Sequence, residues 1–320
     1  MKRFLAAWIV AAAAPAAFAW GPVGHRIVAE TAALLVADDR PTTWGPLLAR
    51  HRFELGVYAF LPDSLFRHID GAGGAVEGPT HYLFLDATGE MAKRRGSVDR
   101  RIVQFLDLAR AELAPVRAVS GGYQPGASAI GDARHVFLGF YDLGVLAHYS
   151  GDVAMPYHAT ADTNGTARGE GGIHIYFESD CVNALEPGLA ADVLASARKN
   201  RKSWLRAWNA APGKPVDLVK AVLADSLSTV ARVSELDRLH AVIALQPPGS
   251  TTNAKRKPPS EGCRAMRSIL VDRLARGAAL TATLWESVLP DGVDFSDSSG
   301  LQFSDINPTP EYLAPQGAAE

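Results

Sequence analysis

Two pairs of a histidine and a carboxylate, each four residues apart, are the feature of this sequence best suited to chemistry. His148 and Asp152 lie near the end of FLGFYDLGVLAHYSGDVAMPYH, and His174 and Glu178 lie in GGIHIYFES. Side chains four residues apart leave an α-helix from the same face. Together with His158, these residues offer the ligand types and the close spacing that zinc uses in proteins.

A simpler interpretation of such a pair exists, because a histidine and an aspartate four apart on a helix more often make a surface hydrogen bond. The strongly apolar setting of His148 argues against that interpretation. A buried histidine that faces a buried aspartate is costly unless something satisfies both, and a cation does so. For the second pair, Tyr176 and Phe177 predict a helix that packs against the core.

The N-terminus has the pattern of a secretory signal peptide. Lys2 and Arg3 precede an apolar run at 4–14, and small residues stand at both positions that define a cleavage site after Ala19. The run is too short to cross a membrane, which takes about 20 apolar residues. We therefore expect a secreted or periplasmic protein whose mature chain begins at Trp20.

A tryptophan at a new N-terminus can bind a metal, because its free α-amine and its carbonyl oxygen can close a five-membered chelate ring. His25 follows one helical turn later in WGPVGHRIVAE, and FLPDSLFRHID and GPTHYLFLD add Asp63 and His81. Each has a simpler interpretation. Trp20 could merely cover apolar surface, Asp63 could be a turn residue after proline, and His81 could be a half-buried histidine.

In this order and spacing, these residues resemble a known family. The sequence is similar to the superfamily of trinuclear zinc phosphodiesterases that joins the secreted single-strand-preferring nucleases of the S-one/P-one type to the bacterial zinc-dependent phospholipases C. The resemblance runs from residue 20 to about 180, and ARGAALTATLWESVL near 275–289 resembles the family's final helix. It implies these metal ligands: Trp20, His25, Asp63, His81, His148, Asp152, His158, His174 and Glu178.

The resemblance also implies how three zinc ions divide these ligands. The first zinc would take Asp63, His81, His148 and Asp152. The second would take Trp20, His25 and Asp152, and the third would take His158, His174 and Glu178. Asp152 would therefore bridge the first two ions, and imidazole and carboxylate are ordinary partners of zinc.

The implied reaction is hydrolysis of a phosphodiester by a metal-activated water. Asp63 could orient the water, and Arg67 could neutralise a phosphate oxygen. Arg67 stands four residues after Asp63, whereas the nucleases lead us to expect an arginine three residues after it. Tyr82, next to His81, could stack on a nucleobase, and packing is the alternative role for its ring.

The sequence combines features of the nucleases and of the phospholipases C, so it indicates the reaction more directly than the substrate. The short interval from Trp20 to His25 resembles the nucleases, whereas Glu178 and the short interval from His158 to His174 resemble the phospholipases. We expect a nuclease acting on single-stranded DNA or RNA. The alternatives are a phospholipase C acting on phospholipid head groups and a non-catalytic helical protein that uses metal for stability. No stable protein partner is implied.

The elements that must position these residues are predicted to be helices. Alternating strand-like runs are scarce, and apolar residues recur at three- and four-residue spacing. This pattern predicts an all-α fold, a single mostly helical domain around a zinc cleft over 20–290, followed by an extended tail at 291–320. The predicted helices are 21–37, 98–114, 135–152, 188–211, 215–234 and 262–289, and the main Gly- and Pro-rich loops are 67–80, 118–128, 160–173 and 246–262.

Composition and cysteine content fit an exported enzyme without identifying one. Without Lys2 and Arg3, 30 basic and 34 acidic side chains remain, a net charge of about −4 that excludes a nucleic-acid footprint built on bulk positive charge. The two cysteines, Cys181 and Cys263, could form a disulfide in an oxidising compartment or remain two thiols.

Overall fold

The structure is a computed structural model that describes residues 20–69, 75–86, 88, 90–92, 96–116, 129–209 and 214–293. The predicted signal peptide, the loop 118–128 and most of the predicted tail lie outside these residues. Helices of seven residues or more are α1 (Gly21–Asp39), α2 (Trp44–Arg50), α3 (Arg52–Tyr58), α4 (Val98–Leu113), α5 (Ala129–Ala154), α6 (Cys181–Trp208), α7 (Pro215–Leu236) and α8 (Arg267–Glu286). In the described residues, the only sheet pairs β1 (Val242–Ala244) with β2 (Lys255–Arg256).

The all-α prediction is therefore confirmed, and the six predicted helices are present with shifted ends. The range given for α6 consists of two helical stretches separated by a kink at the non-helical Pro187 and Gly188, and the predicted start at 188 lies at that kink. The sequence analysis missed α2 and α3, two short helices for which the periodicity covers only two turns. None of the helices in the described residues is both long and apolar enough to cross a membrane.

Helix α5 lies at the centre of the fold. It contacts α1, α3, α4, α7 and α8, and every residue from 142 to 159 is buried. A helical segment that is apolar on all sides is typically buried on all sides, and the C-terminal part of α5 fits this pattern. Polar side chains near its C-terminal end are consequently held in the interior of the protein.

The close approach of α1, α5 and α8 depends on glycine. A Cβ added to Gly277 of α8 would lie 3.4 Å from the Cα of Gly151, and one added to Gly151 would lie 3.4 Å from Nδ1 of His25. Both distances are at the short end of ordinary van der Waals contact, so a methyl group would just fit and larger side chains would push α1 and α8 away from α5. The small residues keep His25 next to the end of α5.

Cys181 and Cys263 form a disulfide across a sequence separation of 82 residues. The bond joins the first residue of α6 to the segment that follows the short helix Pro259–Gly262. Both cysteines are fully buried. The sequence analysis left this pairing open, and the structure settles it.

Candidate metal centre

The side chains of His148 and Asp152 enter the interior from the last turns of α5, and both are fully buried. His25 comes from the second turn of α1 and stacks on His148, with ring centroids 3.8 Å apart. Asp63 lies in the short helical segment Pro62–Phe66, whereas the sequence analysis considered it a loop or turn residue. The proline and the helical segment direct its carboxylate inward, where it is fully buried.

His81 completes this part of the site from the end of the short 3-10 helix Gly78–His81. The chain that follows runs beside the residues after α5, because the amide of Leu83 donates to the carbonyl of His158 and that of Leu85 to the carbonyl of Ala159. This pairing holds His81 and His158 next to each other. His81 is fully buried, so the interpretation of a half-buried histidine is wrong.

The ligand atoms of these residues converge at short distances. Nδ1 of His81 lies 2.9 Å from Oδ2 of Asp152 and 2.9 Å from Nε2 of His148, and Nε2 of His148 lies 3.3 Å from the same Oδ2. Two ligand atoms on a tetrahedral zinc ion are about 3.3 Å apart. The three atoms could therefore hold one metal ion between them.

A neighbouring group adds His25 and Asp63. Nε2 of His25 lies 3.8 Å from Oδ2 of Asp63 and 3.6 Å from Oδ1 of Asp152. Asp152 therefore directs one carboxylate oxygen at His81 and His148 and the other at His25, as a bridging ligand would. By distance, His25, Asp63 and His148 form one possible metal group and His81, His148 and Asp152 another; we call these the paired groups.

His158, His174 and Glu178 form a third group that could hold a metal ion. Nε2 of His158 lies 3.1 Å from Nε2 of His174, which lies 2.9 Å from Oε2 of Glu178. His174 and Glu178 keep their four-residue spacing on the helical turn that starts after Gly172, whose φ of 85° is in the left-handed region that favours glycine. Oδ1 of Asp152 lies 3.6 Å from Nδ1 of His158 and links the third group to the paired groups.

In three histidines, a backbone contact fixes the ring proton on the nitrogen that points away from the metal groups. Nδ1 of His148 donates to the carbonyl of Ala59 over 2.7 Å, and Nδ1 of His158 donates to the carbonyl of His81 over 2.8 Å. His174 bonds the backbone of Thr163, a contact left to Nδ1 because its Nε2 faces the group. In a neutral imidazole the other nitrogen then carries only a lone pair. Histidines that bind a metal through one ring nitrogen usually donate a hydrogen bond of this kind from the other nitrogen.

His158 and His174 are neutral near neutral pH. Burial lowers the pKa of His158 to about 4 and that of His174 to about 3. Burial also raises the pKa of Glu178 to about 7, and burial together with the nearby Asp63 raises the pKa of Asp152 well above its usual range. Without a counter-charge these buried carboxyls therefore retain protons, and a divalent metal ion would replace those protons and bind the lone pairs of the neutral imidazoles.

Trp20 makes contacts of two kinds in this site. Its indole is fully buried, and Nε1 donates to the carbonyl of Gly151 over 2.8 Å, near the end of α5 where helix carbonyls lack partners. Its backbone amide bonds Glu178. The packing role of the indole is therefore present, and the backbone of Trp20 also lies beside a metal group. Its φ of 31° is in the left-handed region, which is unusual for a large side chain.

The other predicted site residues lie around the metal groups. A guanidinium nitrogen of Arg67 lies 3.0 Å from Oδ1 of Asp63. The arginine therefore reaches the candidate metal ligand Asp63 despite its four-residue offset. The ring of Tyr82 lies 4.5 Å from that of His158 and 5.5 Å from that of Phe84. Burial raises the pKa of Tyr82. These contacts correspond to the packing role, and base stacking by Tyr82 stays a prediction.

Sequence reasoning missed a polar cluster behind His81. Glu77, Arg101 and Tyr149 come from three separate elements, and the carboxylate of Glu77 accepts hydrogen bonds from both other side chains. The only signal in the sequence was the four-residue spacing from Glu77 to His81. That spacing lies in a Gly- and Pro-rich stretch that does not predict a helix.

The chain itself has no match among protein-family models or among curated proteins. The assignment of a function therefore depends on the geometry of the site and on the order of its residues.

Proposed function

We propose that this protein is a secreted zinc-dependent phosphodiesterase that hydrolyses single-stranded nucleic acid. The observation that carries the proposal is the convergence of eight buried histidine and carboxylate side chains into three adjoining groups. A structural zinc site is normally closed by four protein ligands. Groups that share residues and offer three ligands each are more typical of sites that leave positions for water and substrate.

The donor set supports zinc as the metal. Imidazole nitrogens and carboxylate oxygens suit zinc, and the fixed Nδ1 protons of His148 and His158 leave Nε2 ready for it. When bound, zinc lowers the pKa of a coordinated water towards neutrality and stabilises charge on phosphoryl oxygens. Three ions are expected, one for each group.

The roles of the other residues follow from their positions. Asp152 holds the paired groups together, and the carboxylate of Asp63 can orient a water at that side of the site. Arg67, whose side chain is 12% exposed, can move from Asp63 to a substrate phosphate because its guanidinium is at the edge of the buried centre. Tyr82 keeps His158 in place through ring contact.

Phospholipid head groups are the second candidate substrate, and one observation favours them. Leu65 and Ile69 flank Arg67 on the same short helical stretch and are 45% and 66% exposed. Apolar side chains at the edge of a catalytic site are suited to contact with lipid. The same side chains could also contact unstacked bases, so the test must include both substrates.

The test is a paired assay of one zinc-loaded preparation of the cleaved protein. It is given single-stranded DNA or RNA and, separately, phosphatidylcholine vesicles, with and without a chelator. We expect hydrolysis of the nucleic acid that stops when zinc is removed and returns when zinc is restored. Hydrolysis of phosphatidylcholine alone would favour the phospholipase, and inactivity on both with unfolding in chelator would favour a structural role for the metal.

Cleavage after Ala19 is a separate part of the proposal. A methionine placed before Trp20 converts the α-amine into an amide, which is a poor ligand and cannot close the chelate ring. We expect this extended protein to fold but to lack one zinc ion and most of its activity by metal analysis and the same assay. Equal zinc content and activity in the extended and cleaved proteins would exclude the α-amine as a ligand.

A further inference from the structure

His81 differs from three other histidines of the site in the nitrogen that it turns towards the metal groups. His148, His158 and His174 use Nε2 and bond the backbone with Nδ1. His81 instead places Nδ1 2.9 Å from both Asp152 and His148. If Nδ1 binds a metal ion, the proton of the neutral ring must be on Nε2.

The side chain that faces Nε2 of His81 is Glu77. Its Oε1 lies 3.7 Å from Nε2, and Nε2 has no hydrogen-bond partner among the described residues. The separation is longer than a hydrogen bond, and a shift of less than about 1 Å closes it. Glu77 is only 3% exposed, so water does not compete freely for this contact.

Three donors from different elements hold the Glu77 carboxylate in this position. The hydroxyl of Tyr149, on α5, donates to Oε1, and a guanidinium nitrogen of Arg101, on α4, donates to Oε2. The hydroxyl of Thr80 donates to Oε1 over 3.0 Å, and Nε of Arg101 donates to the hydroxyl of Tyr149 over 3.2 Å. A buried carboxylate that accepts this many hydrogen bonds is held in place.

We infer that Glu77 is a positioning residue for the metal centre: it accepts the Nε2 proton of His81 and so orients the ring to bind metal through Nδ1. Arg101 and Tyr149 act through Glu77. A carboxylate behind a metal-binding histidine fixes its tautomer and raises its basicity, and loss of such a partner typically weakens metal binding about 10- to 100-fold. The inference rests on the proposed zinc centre and not on any particular substrate.

The test is Glu77→Gln, which keeps the shape of the side chain and removes its charge. Zinc affinity is measured by competition with a chromophoric chelator, and the melting temperature is measured in parallel. We expect one of the three zinc ions to bind about 10- to 100-fold more weakly. The matched control is Glu286→Gln, because the Glu286 carboxylate is also mostly buried and accepts a 2.6 Å hydrogen bond from an arginine, Arg201. It should lower stability and leave zinc affinity unchanged.

Equal zinc affinity of Glu77→Gln and the parent protein would overturn the inference, even if Glu77→Gln were less stable, because the role of Glu77 would then be structural. If Glu77→Gln does not fold, Tyr149→Phe decides, since it removes one donor and leaves the carboxylate. It should weaken binding of the same zinc ion several-fold, and an unchanged zinc affinity would again overturn the inference. A parent protein that binds no zinc would overturn the proposed function as well.

Discussion

The paired groups and the third group use the same ligand chemistry but are held in different ways. The paired groups take His25, His148 and Asp152 from the long helices α1 and α5, in the most buried part of the fold. The third group takes His158 and His174 from short turns on either side of the loop 160–172. Core packing of long helices fixes these three of the five ligands in the paired groups, whereas the third group must obtain its rigidity from other contacts.

Those contacts are polar and covalent. The amide of Gly172 donates to the side chain of Asn164 over 3.0 Å, and Arg256 binds the carboxylate of Asp237 and the carbonyl oxygens of Gly171 and Glu170. The disulfide at Cys181 ties down the chain three residues after the last ligand. The comparison indicates that changes to the core should remove metal from the paired groups. Loss of these hydrogen bonds or of the disulfide should instead weaken metal binding by the third group.

The largest effect is expected from His148→Ala, because His148 belongs to both paired groups. The variant should lose hydrolysis and most of the zinc of the paired groups while the third group keeps its ion. Metal analysis and the nucleic-acid assay measure this. The control is His135→Ala on the same helix, whose side chain is 39% exposed and bonds Glu112, and it should keep zinc and activity. Unchanged zinc content in His148→Ala would exclude it as a ligand.

Replacing both Cys181 and Cys263 by alanine should have the next largest effect. Loss of the disulfide should lower the free energy of unfolding by about 2–5 kcal/mol. We also expect zinc to leave the third group at lower chelator concentration than in the parent protein, with the paired groups unchanged. Denaturant unfolding and chelator titration measure the two effects. If zinc were lost equally from all groups, the disulfide would stabilise the whole fold and not the third group.

Glu178→Asp should be milder, because it keeps the charge and shortens the reach by one methylene. We expect weaker zinc binding at the third group, retention of the other two ions, and reduced activity. The matched control is Glu186→Asp on α6, an exposed residue that pairs with Arg26 on the surface. Full zinc content and activity in Glu178→Asp would argue that Glu178 is not a ligand.

Trp20→Phe in the cleaved protein should have the smallest effect on activity. The backbone atoms that could bind metal remain, but the Gly151 carbonyl loses its indole partner, which should cost about 1–3 kcal/mol. Trp285→Phe is the matched control, since Trp285 is also fully buried and donates to the carbonyl of Leu143 over 3.0 Å. Both variants should lose similar stability by thermal unfolding. A much larger loss of zinc in Trp20→Phe would mean that the indole itself positions the metal centre.

Residue types and spacing predict the candidate ligands well, because helical periodicity converts a four-residue interval into a shared face. His148 with Asp152 and His174 with Glu178 were predicted in this way, and the structure brings both pairs to the same centre. Long helices were predictable for the same reason. The short helices α2 and α3 were not, since they contain too few turns to establish a period.

Contacts between distant segments were beyond the sequence. For His148, His158 and His174, the nitrogen that points away from the metal groups bonds the backbone, such as the carbonyl of Ala59, and every residue type carries a backbone carbonyl. The contact of Glu77 with Arg101 and Tyr149 joins three elements that are far apart in the chain. A single sequence shows neither, because both depend on the final packing.

The left-handed conformation of Trp20 has a consequence for the proposed cleavage after Ala19. The torsion φ of a residue is defined by the peptide bond before it, so Trp20 has the strained φ of 31° only while another residue precedes it. Such strain typically costs about 1–3 kcal/mol. The proposed cleavage after Ala19 would abolish the torsion together with its cost, so we expect the uncleaved protein to be less stable than the cleaved protein by about this amount. The proposed cleavage would then stabilise the fold as well as create the free α-amine, and equal unfolding free energies of the metal-free uncleaved and cleaved proteins would contradict this.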